Sequence, residues 1–142
     1  MVRLISGAIA ILAGLAAIPT APARAEEASD PRLMRGEQEY RDACAVCHGI
    51  AGDGNGPIAS ILRVAPSDLR RLTVDNGGSF PFDRVYGVID GRAPVPGHGP
   101  SDMPVWGREF TRDAERAAQG QPVRPDPELV VAGRILVLID YL

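Results

Sequence analysis

The chain has 142 residues with 15 basic and 18 acidic side chains, which gives a net charge of −3 at pH 7. This length fits one domain. The mildly acidic balance argues against a nucleic-acid-binding surface and against a polybasic membrane patch.

The N-terminus has the three parts of a secretory signal peptide. Arg3 is basic, residues 4–18 are almost entirely apolar, and an Ala-Arg-Ala sequence ending at Ala25 fits a small-x-small cleavage pattern. The apolar run is shorter than the roughly 18 residues that usually span a bilayer, although an uncleaved signal acting as an anchor stays open. We therefore predict a signal peptide over residues 1–25 and export of one domain, residues 26–142, to the periplasm.

A helix is predicted soon after this segment. Asp30 fits an N-cap, and Pro31 fits the first helical position. Small and apolar residues then recur at intervals of three and four, which is typical of a helix with one buried face. These residues are Leu33, Gly36, Tyr40, Ala43 and Cys47.

The helix runs into a Cys-x-x-Cys-His motif, formed by Cys44, Cys47 and His48. This is the spacing at which proteins attach haem covalently. On a helix the two cysteines share one face, so both sulfurs would form thioethers to the porphyrin vinyl groups. His48 would then reach the iron as the proximal ligand.

Two other chemistries use a Cys-x-x-Cys pair. Structural zinc needs four ligands, and only His48 and His98 accompany the cysteines. A redox dithiol normally follows a strand of a βαβ unit, whereas the residues before Cys44 favour a helix. Export suits haem attachment and would leave unprotected thiols prone to oxidation. Haem is therefore favoured, while the dithiol and zinc interpretations stay open.

Short helices within loop-rich sequence are predicted after the motif. Helices are expected over residues 67–72 and 82–89, and Gly91 fits the end of the second. Repeated prolines and glycines over residues 92–107 oppose regular structure there.

The C-terminal third is predicted to contain two helices separated by a loop. A polar surface helix is expected over residues 108–118 and an exposed loop over residues 119–125. Asp126 and Pro127 then repeat the start signal of the first helix. An apolar stripe follows, formed by Val131, Ile135, Leu138 and Leu142.

Two further patterns resemble those of small single-haem class I c-type cytochromes. In that family a glycine and an aromatic residue precede the haem motif at fixed spacing, as Gly36 and Tyr40 precede Cys44. The last helix of the family carries a Leu-x-x-Tyr-Leu pattern, which is matched by Leu138, Tyr141 and Leu142. The resemblance implies an all-α class I cytochrome c fold. Its N- and C-terminal helices would cross, and short helices and loops would wrap around one covalently bound haem c.

The same resemblance implies roles for residues around the iron. Pro57, in a Gly-Pro pair, would accept a hydrogen bond from the proximal histidine through its carbonyl group. Met103, followed by Pro104, resembles the distal methionine, with His98 as the competing ligand. Arg92 and Trp106 are expected to donate hydrogen bonds to the haem propionates.

The expected function is that of an exported single-haem cytochrome c with His/Met ligation, which transfers single electrons by Fe(III)/Fe(II) cycling. A coordinately saturated iron leaves no site for a substrate, so no enzyme activity is expected. Redox proteins are the expected electron donor and acceptor, and nucleic acid is not an expected partner. A membrane would be reached only through a partner or an uncleaved signal.

The sequence leaves several functional possibilities open. The protein would be a free carrier or the electron-transfer subunit of a respiratory or dehydrogenase complex. A catalytic or gas-binding haem protein is one alternative, and it requires Met103 to be absent from the iron or easily displaced. A periplasmic dithiol/disulfide oxidoreductase using Cys44 and Cys47 is the other.

Overall fold

Within the described part of the chain, the first and last helices both begin at a proline. The computed structural model of the protein describes residues 30–92 and 103–142. Helix α1 is Pro31–Ala43 and helix α6 is Pro127–Tyr141. The side chains of Asp30 and Asp126 accept hydrogen bonds from backbone N–H groups two residues later, at 2.8 and 2.9 Å. Both predicted helix starts are confirmed, because each N-cap satisfies a donor that the first turn leaves unpaired.

Between these two helices, the described residues form four further α-helices and two short 3₁₀ turns. The helices are α2 (Ala45–His48), α3 (Leu72–Asp75), α4 (Phe82–Asp90) and α5 (Trp106–Ala117), and the 3₁₀ turns are Ala59–Ile61 and Leu69–Arg71. No strand occurs in the parts of the chain that the structure describes, which confirms the all-α class for them. In these same parts, none of the helices combines the length and the apolar character that crossing a bilayer requires.

Helices α1 and α6 approach each other closely at Gly36. A Cβ atom on Gly36 would overlap the backbone carbonyl oxygen of Val137 and would lie 2.8 Å from Cβ of Tyr141. Beside this contact, the rings of Tyr40 and Tyr141 pack with their centroids 5.4 Å apart. The glycine therefore permits the close approach, and the two aromatic rings fill the space beside it.

Helix α6 forms the centre of the core. It packs against α1, α4 and α5, and Val131, Ile135 and Leu138 on it are at most 1 % exposed. Phe110 of α5 and Val85 of α4 are buried against the same cluster. Burying each such side chain contributes about 1.5–3 kcal/mol relative to leaving it in water.

The helix predicted over residues 67–72 is wrong in extent. The segment forms the 3₁₀ turn Leu69–Arg71 and continues directly into α3. Asp68 explains the later start, because its side chain accepts a hydrogen bond from the backbone N–H of Arg70 at 3.1 Å and so acts as the N-cap. The helix predicted over residues 82–89 is confirmed, and it ends at Gly91 in the left-handed conformation, with φ of 62°.

The polar surface helix predicted over residues 108–118 also needs correction. Helix α5 begins two residues earlier, at Trp106, and buries Gly107, Phe110 and Ala114 against the core. These three residues follow helical spacing, so α5 is amphipathic rather than polar throughout. The loop over residues 119–125 is exposed as predicted. The predicted signal peptide and His98 lie outside the described residues.

Candidate functional site

Cys44 is the junction between α1 and α2. Its backbone N–H donates to the carbonyl of Tyr40 at 2.8 Å, which completes the last turn of α1. Its own carbonyl accepts from the N–H groups of Cys47 at 3.1 Å and of His48 at 2.9 Å. Cys44 and Cys47 are both free thiols. The three residues of the motif are therefore held on one hydrogen-bonded turn, with both sulfurs unbonded.

The loop after the motif folds back against α2. The N–H of Gly54 donates to the carbonyl of His48 at 2.8 Å, and the N–H of Gly56 donates to the carbonyl of Cys47 at 3.0 Å. A Cβ atom on Gly56 would lie 2.5 Å from that same carbonyl group. Gly56 is therefore required by close packing, a role that its place in a Gly-Pro pair does not reveal.

Tyr40 fixes the turn that follows His48. Its hydroxyl group is buried and donates to the carbonyl of Gly49 at 2.6 Å. Burial, followed by the negative charges of neighbouring groups, raises the pKa of Tyr40 to about 12. The hydroxyl is therefore a neutral donor at any physiological pH, and it joins α1 to the chain beyond the motif.

The His48 ring is oriented through Nδ1, which lies 3.0 Å from the backbone carbonyl oxygen of Ser67. The family resemblance implies Pro57 in this role, whereas the ring contacts Ser67 here. A backbone carbonyl has no side-chain signature, so no pattern in the sequence identifies Ser67. When Nδ1 carries the proton and donates it to this carbonyl, Nε2 keeps its lone pair and is the nitrogen suited to binding a metal.

The environment of Cys44 disfavours a thiolate. The residue is half-buried against the core, and burial, followed by the negative charge of Glu39, raises the pKa of its thiol to about 12. Reactive cysteines of dithiol oxidoreductases require the opposite shift, because the thiolate is the attacking species. This environment therefore favours the neutral thiol at Cys44, unlike the attacking thiol of a dithiol oxidoreductase.

Met103 and Trp106, which follow the motif by more than 50 residues, pack against the core cluster that Cys44 also contacts. Both are half-buried and pack against the cluster on which Cys44 also lies. The Trp106 ring lies 5.7 Å from that of Phe110, measured between centroids. The fold thus gathers Cys44, Met103 and Trp106 at one core although Met103 follows Cys44 by 59 residues in sequence.

The Arg92 side chain forms hydrogen bonds to two carboxylates. Its Nε donates to Asp90 at 2.8 Å and its Nη1 donates to Glu128 at 2.6 Å. These bonds raise the pKa of the guanidinium, that of Glu128 contributing most, and lower the pKa of Glu128. Arg92 therefore joins the end of α4 to the start of α6, and its predicted contact with a propionate stays a prediction.

An open cleft of about 490 Å³ lies between α3 and α4. Its apolar floor includes Leu72, Val85 and Ile89, and Arg71 and Arg84 also line it. The cleft is lined by neither cysteine of the motif, nor by His48 or Met103, but Ser67 lines it. Since the Ser67 carbonyl contacts the His48 ring, the cleft adjoins the candidate site. Among residues 30–92 and 103–142, no group of three or more His, Cys, Asp or Glu side chains is placed to hold a metal ion.

The site is described from this chain alone, since no family model, no curated protein and no solved structure matches it.

Proposed function

We propose that the protein is an exported, single-haem c-type cytochrome that carries single electrons between redox proteins. The observation that carries this proposal is the contact between His48 Nδ1 and the Ser67 carbonyl at 3.0 Å. It orients the ring of the histidine that ends the Cys-x-x-Cys-His motif and leaves Nε2 for a metal. The proposed fold is that of class I cytochromes c, supported by the close α1–α6 contact at Gly36.

The residues of the motif fit a covalently attached haem. Cys44 and Cys47 would each form one thioether, and their sulfurs are free and held on one turn. His48 Nε2 and the Met103 sulfur would bind the iron. When bound, haem supplies the one-electron Fe(III)/Fe(II) couple, which none of the protein's side chains provides.

The surrounding residues would orient these ligands and exclude water. The Ser67 carbonyl would orient the His48 ring by accepting a hydrogen bond from its Nδ1–H, which leaves Nε2 for the iron. Tyr40 holds the turn after His48 through Gly49. Half-buried apolar side chains at the edge of the core, among them Leu69, Tyr86 and Trp106, are suited to packing against a flat apolar group.

Expression of the full chain with a c-type maturation system tests the proposal. The expected product carries one covalently bound haem by mass spectrometry and shows low-spin c-type absorption bands. The oxidised form is expected to show a methionine-to-iron charge-transfer band. Chain without haem after maturation would contradict the proposal, and high-spin iron that binds carbon monoxide readily would favour a catalytic or gas-binding protein instead.

The role of Met103 is tested with a matched pair of substitutions. Met103→Leu is expected to abolish the charge-transfer band and to lower the midpoint potential, because the thioether favours reduced iron. Met34→Leu is the control, since Met34 lies on α1 and is 54 % exposed. Retention of the band in Met103→Leu would show that another residue, such as His98, occupies or can take the sixth position.

A further inference from the structure

An acidic side chain is buried where three helices meet. Glu39, on α1, is only 3 % exposed. A carboxylate removed from water destabilises a fold unless cations and hydrogen-bond donors surround it. Arg35 contacts it at 2.5 Å, but the Arg35 side chain is 59 % exposed. The more buried partner is Arg134 of α6, whose side chain is 21 % exposed.

Arg134 contacts two other helices through its guanidinium group. Its Nη2 donates to Glu39 at 2.7 Å, and its Nη1 donates to Asp113 of α5 at 3.1 Å. Its Cζ lies 3.8 Å from the centroid of the Phe110 ring, also on α5, which is a cation–π contact. We call Arg134, Glu39, Asp113 and Phe110 the Arg134 clamp. One side chain therefore fixes α5 to both α1 and α6.

The clamp holds the helix that directly follows Met103. Met103 lies three residues before Trp106, the first residue of α5. The Trp106 ring packs against Phe110, the ring that Arg134 covers. Movement of α5 away from Arg134 would therefore carry Trp106, and with it the short connection to Met103, away from the core.

We propose that Arg134 is a positioning residue for Met103, an inference that rests on the proposed ligation of iron by this methionine. The clamp fixes the position of α5, and α5 fixes the position of the preceding segment, which contains Met103. Loss of the guanidinium would leave Glu39 to the exposed Arg35 and would release α5 locally. The methionine would then leave the iron in a local opening that precedes global unfolding.

Three substitutions in the haem-loaded full chain test this inference. Arg134→Gln removes the clamp. Asp113→Asn removes the ion pair between Arg134 and α5, together with the exposed pair between Asp113 and Arg116 within α5. It keeps the bond between Arg134 and Glu39 and is the milder variant in case the first folds poorly. Arg112→Gln is the control, because Arg112 is 62 % exposed and pairs with Glu109 within α5 itself.

Two measurements are made on each variant. Hydrogen exchange reports the protection of amides over residues 103–117 relative to those of α6. Absorption and circular dichroism report whether the methionine-to-iron band disappears below the temperature at which helicity is lost. The exchange measurement does not depend on which residue ligates the iron.

In Arg134→Gln we expect exchange over residues 103–117 to rise at least about tenfold, which corresponds to about 1.4 kcal/mol. We expect a smaller rise in Asp113→Asn and none in Arg112→Gln. In Arg134→Gln and Asp113→Asn, the methionine-to-iron band should disappear below the temperature at which helicity is lost. Equal loss of protection in all helices, or loss of band and helicity at one temperature, would overturn the inference. A wild-type protein without the band would instead overturn ligation by Met103, and the exchange comparison would separately decide whether Arg134 positions this segment.

Discussion

Substitution of Gly36 by alanine should destabilise the protein although alanine is the better helix former. In the middle of a helix, Gly→Ala contributes about 1 kcal/mol of stability through backbone entropy. Here the new methyl group would overlap the carbonyl oxygen of Val137 and would lie 2.8 Å from Cβ of Tyr141. Neither atom belongs to the movable end of a flexible side chain, so α1 and α6 must separate.

The size of the effect follows from these two opposing contributions. Overpacking a close contact costs about 1–3 kcal/mol, and the upper end applies because the clash is with backbone. With the helix propensity gain subtracted, Gly36→Ala should lower the free energy of unfolding by about 2 kcal/mol. At about 4 °C per kcal/mol, Tm should fall by about 8 °C.

Gly133 provides the matched control. It lies on α6, and a Cβ atom there would meet nothing within 4 Å. Gly133→Ala should therefore keep the propensity gain and raise the free energy of unfolding by about 1 kcal/mol. Thermal unfolding of both purified variants, followed by circular dichroism, measures the difference. Equal stabilisation by the two substitutions would refute the close α1–α6 contact.

Three further predictions concern the turn after the motif and one ion pair. Tyr40→Phe should cost about 1 kcal/mol, because the Gly49 carbonyl loses the hydroxyl donor and keeps only the N–H of Gly52; an unchanged Tm would contradict this. Gly56→Ala places a Cβ atom 2.5 Å from a carbonyl group of α2, so the yield of haem-loaded protein after maturation should fall, and a normal yield would count against the packed loop. The folded-state pKa of Glu128 is lowered by its bond to Arg92, so the stabilisation is present above the ordinary value of 4.5 and is lost as pH falls through the folded value. The Tm difference between wild type and Glu128→Gln should accordingly be small near neutral pH and vanish in acid. A Tm difference that grows in acid would contradict the stabilisation by the ionised carboxylate.

Features that depend on adjacent residues could be predicted from the sequence. Asp30 followed by Pro31 specifies a helix start through an N-cap and a fixed φ angle, both of which are local. The family resemblance at Gly36 and Tyr40 implied that the terminal helices cross, and the overlap with Val137 explains why no side chain fits at Gly36. The same local logic identified Gly91, because a helix end in the left-handed conformation favours glycine.

Features that depend on distant pairing could not be predicted. Arg134 interrupts an apolar stripe and has the sequence appearance of a solvated residue. Its partner Glu39 precedes it by 95 residues, and only the packing of α1 on α6 brings the two together. Ser67 acts through its backbone carbonyl, which every residue carries. The buried face of α5 did have a signal, the spacing of Gly107, Phe110 and Ala114, but the prolines before Trp106 placed the expected helix start too late.

Helix α6 supports both segments that are proposed to ligate iron. It packs on α1, which leads into Cys44 and His48, and Arg134 fixes it to α5, which follows Met103. The contact between α1 and α6 at Gly36 is steric, whereas the contact between α6 and α5 at Arg134 is ionic. Raised salt screens exposed charges strongly and close packing hardly at all. Since Arg134 is largely buried, the α5 contact should weaken only modestly with salt and the Gly36 contact should not change. The sixth ligand should therefore be the more salt-sensitive of the two, because α5 is held to α6 in part by an ion pair, whereas His48 lies on a turn held by several backbone hydrogen bonds.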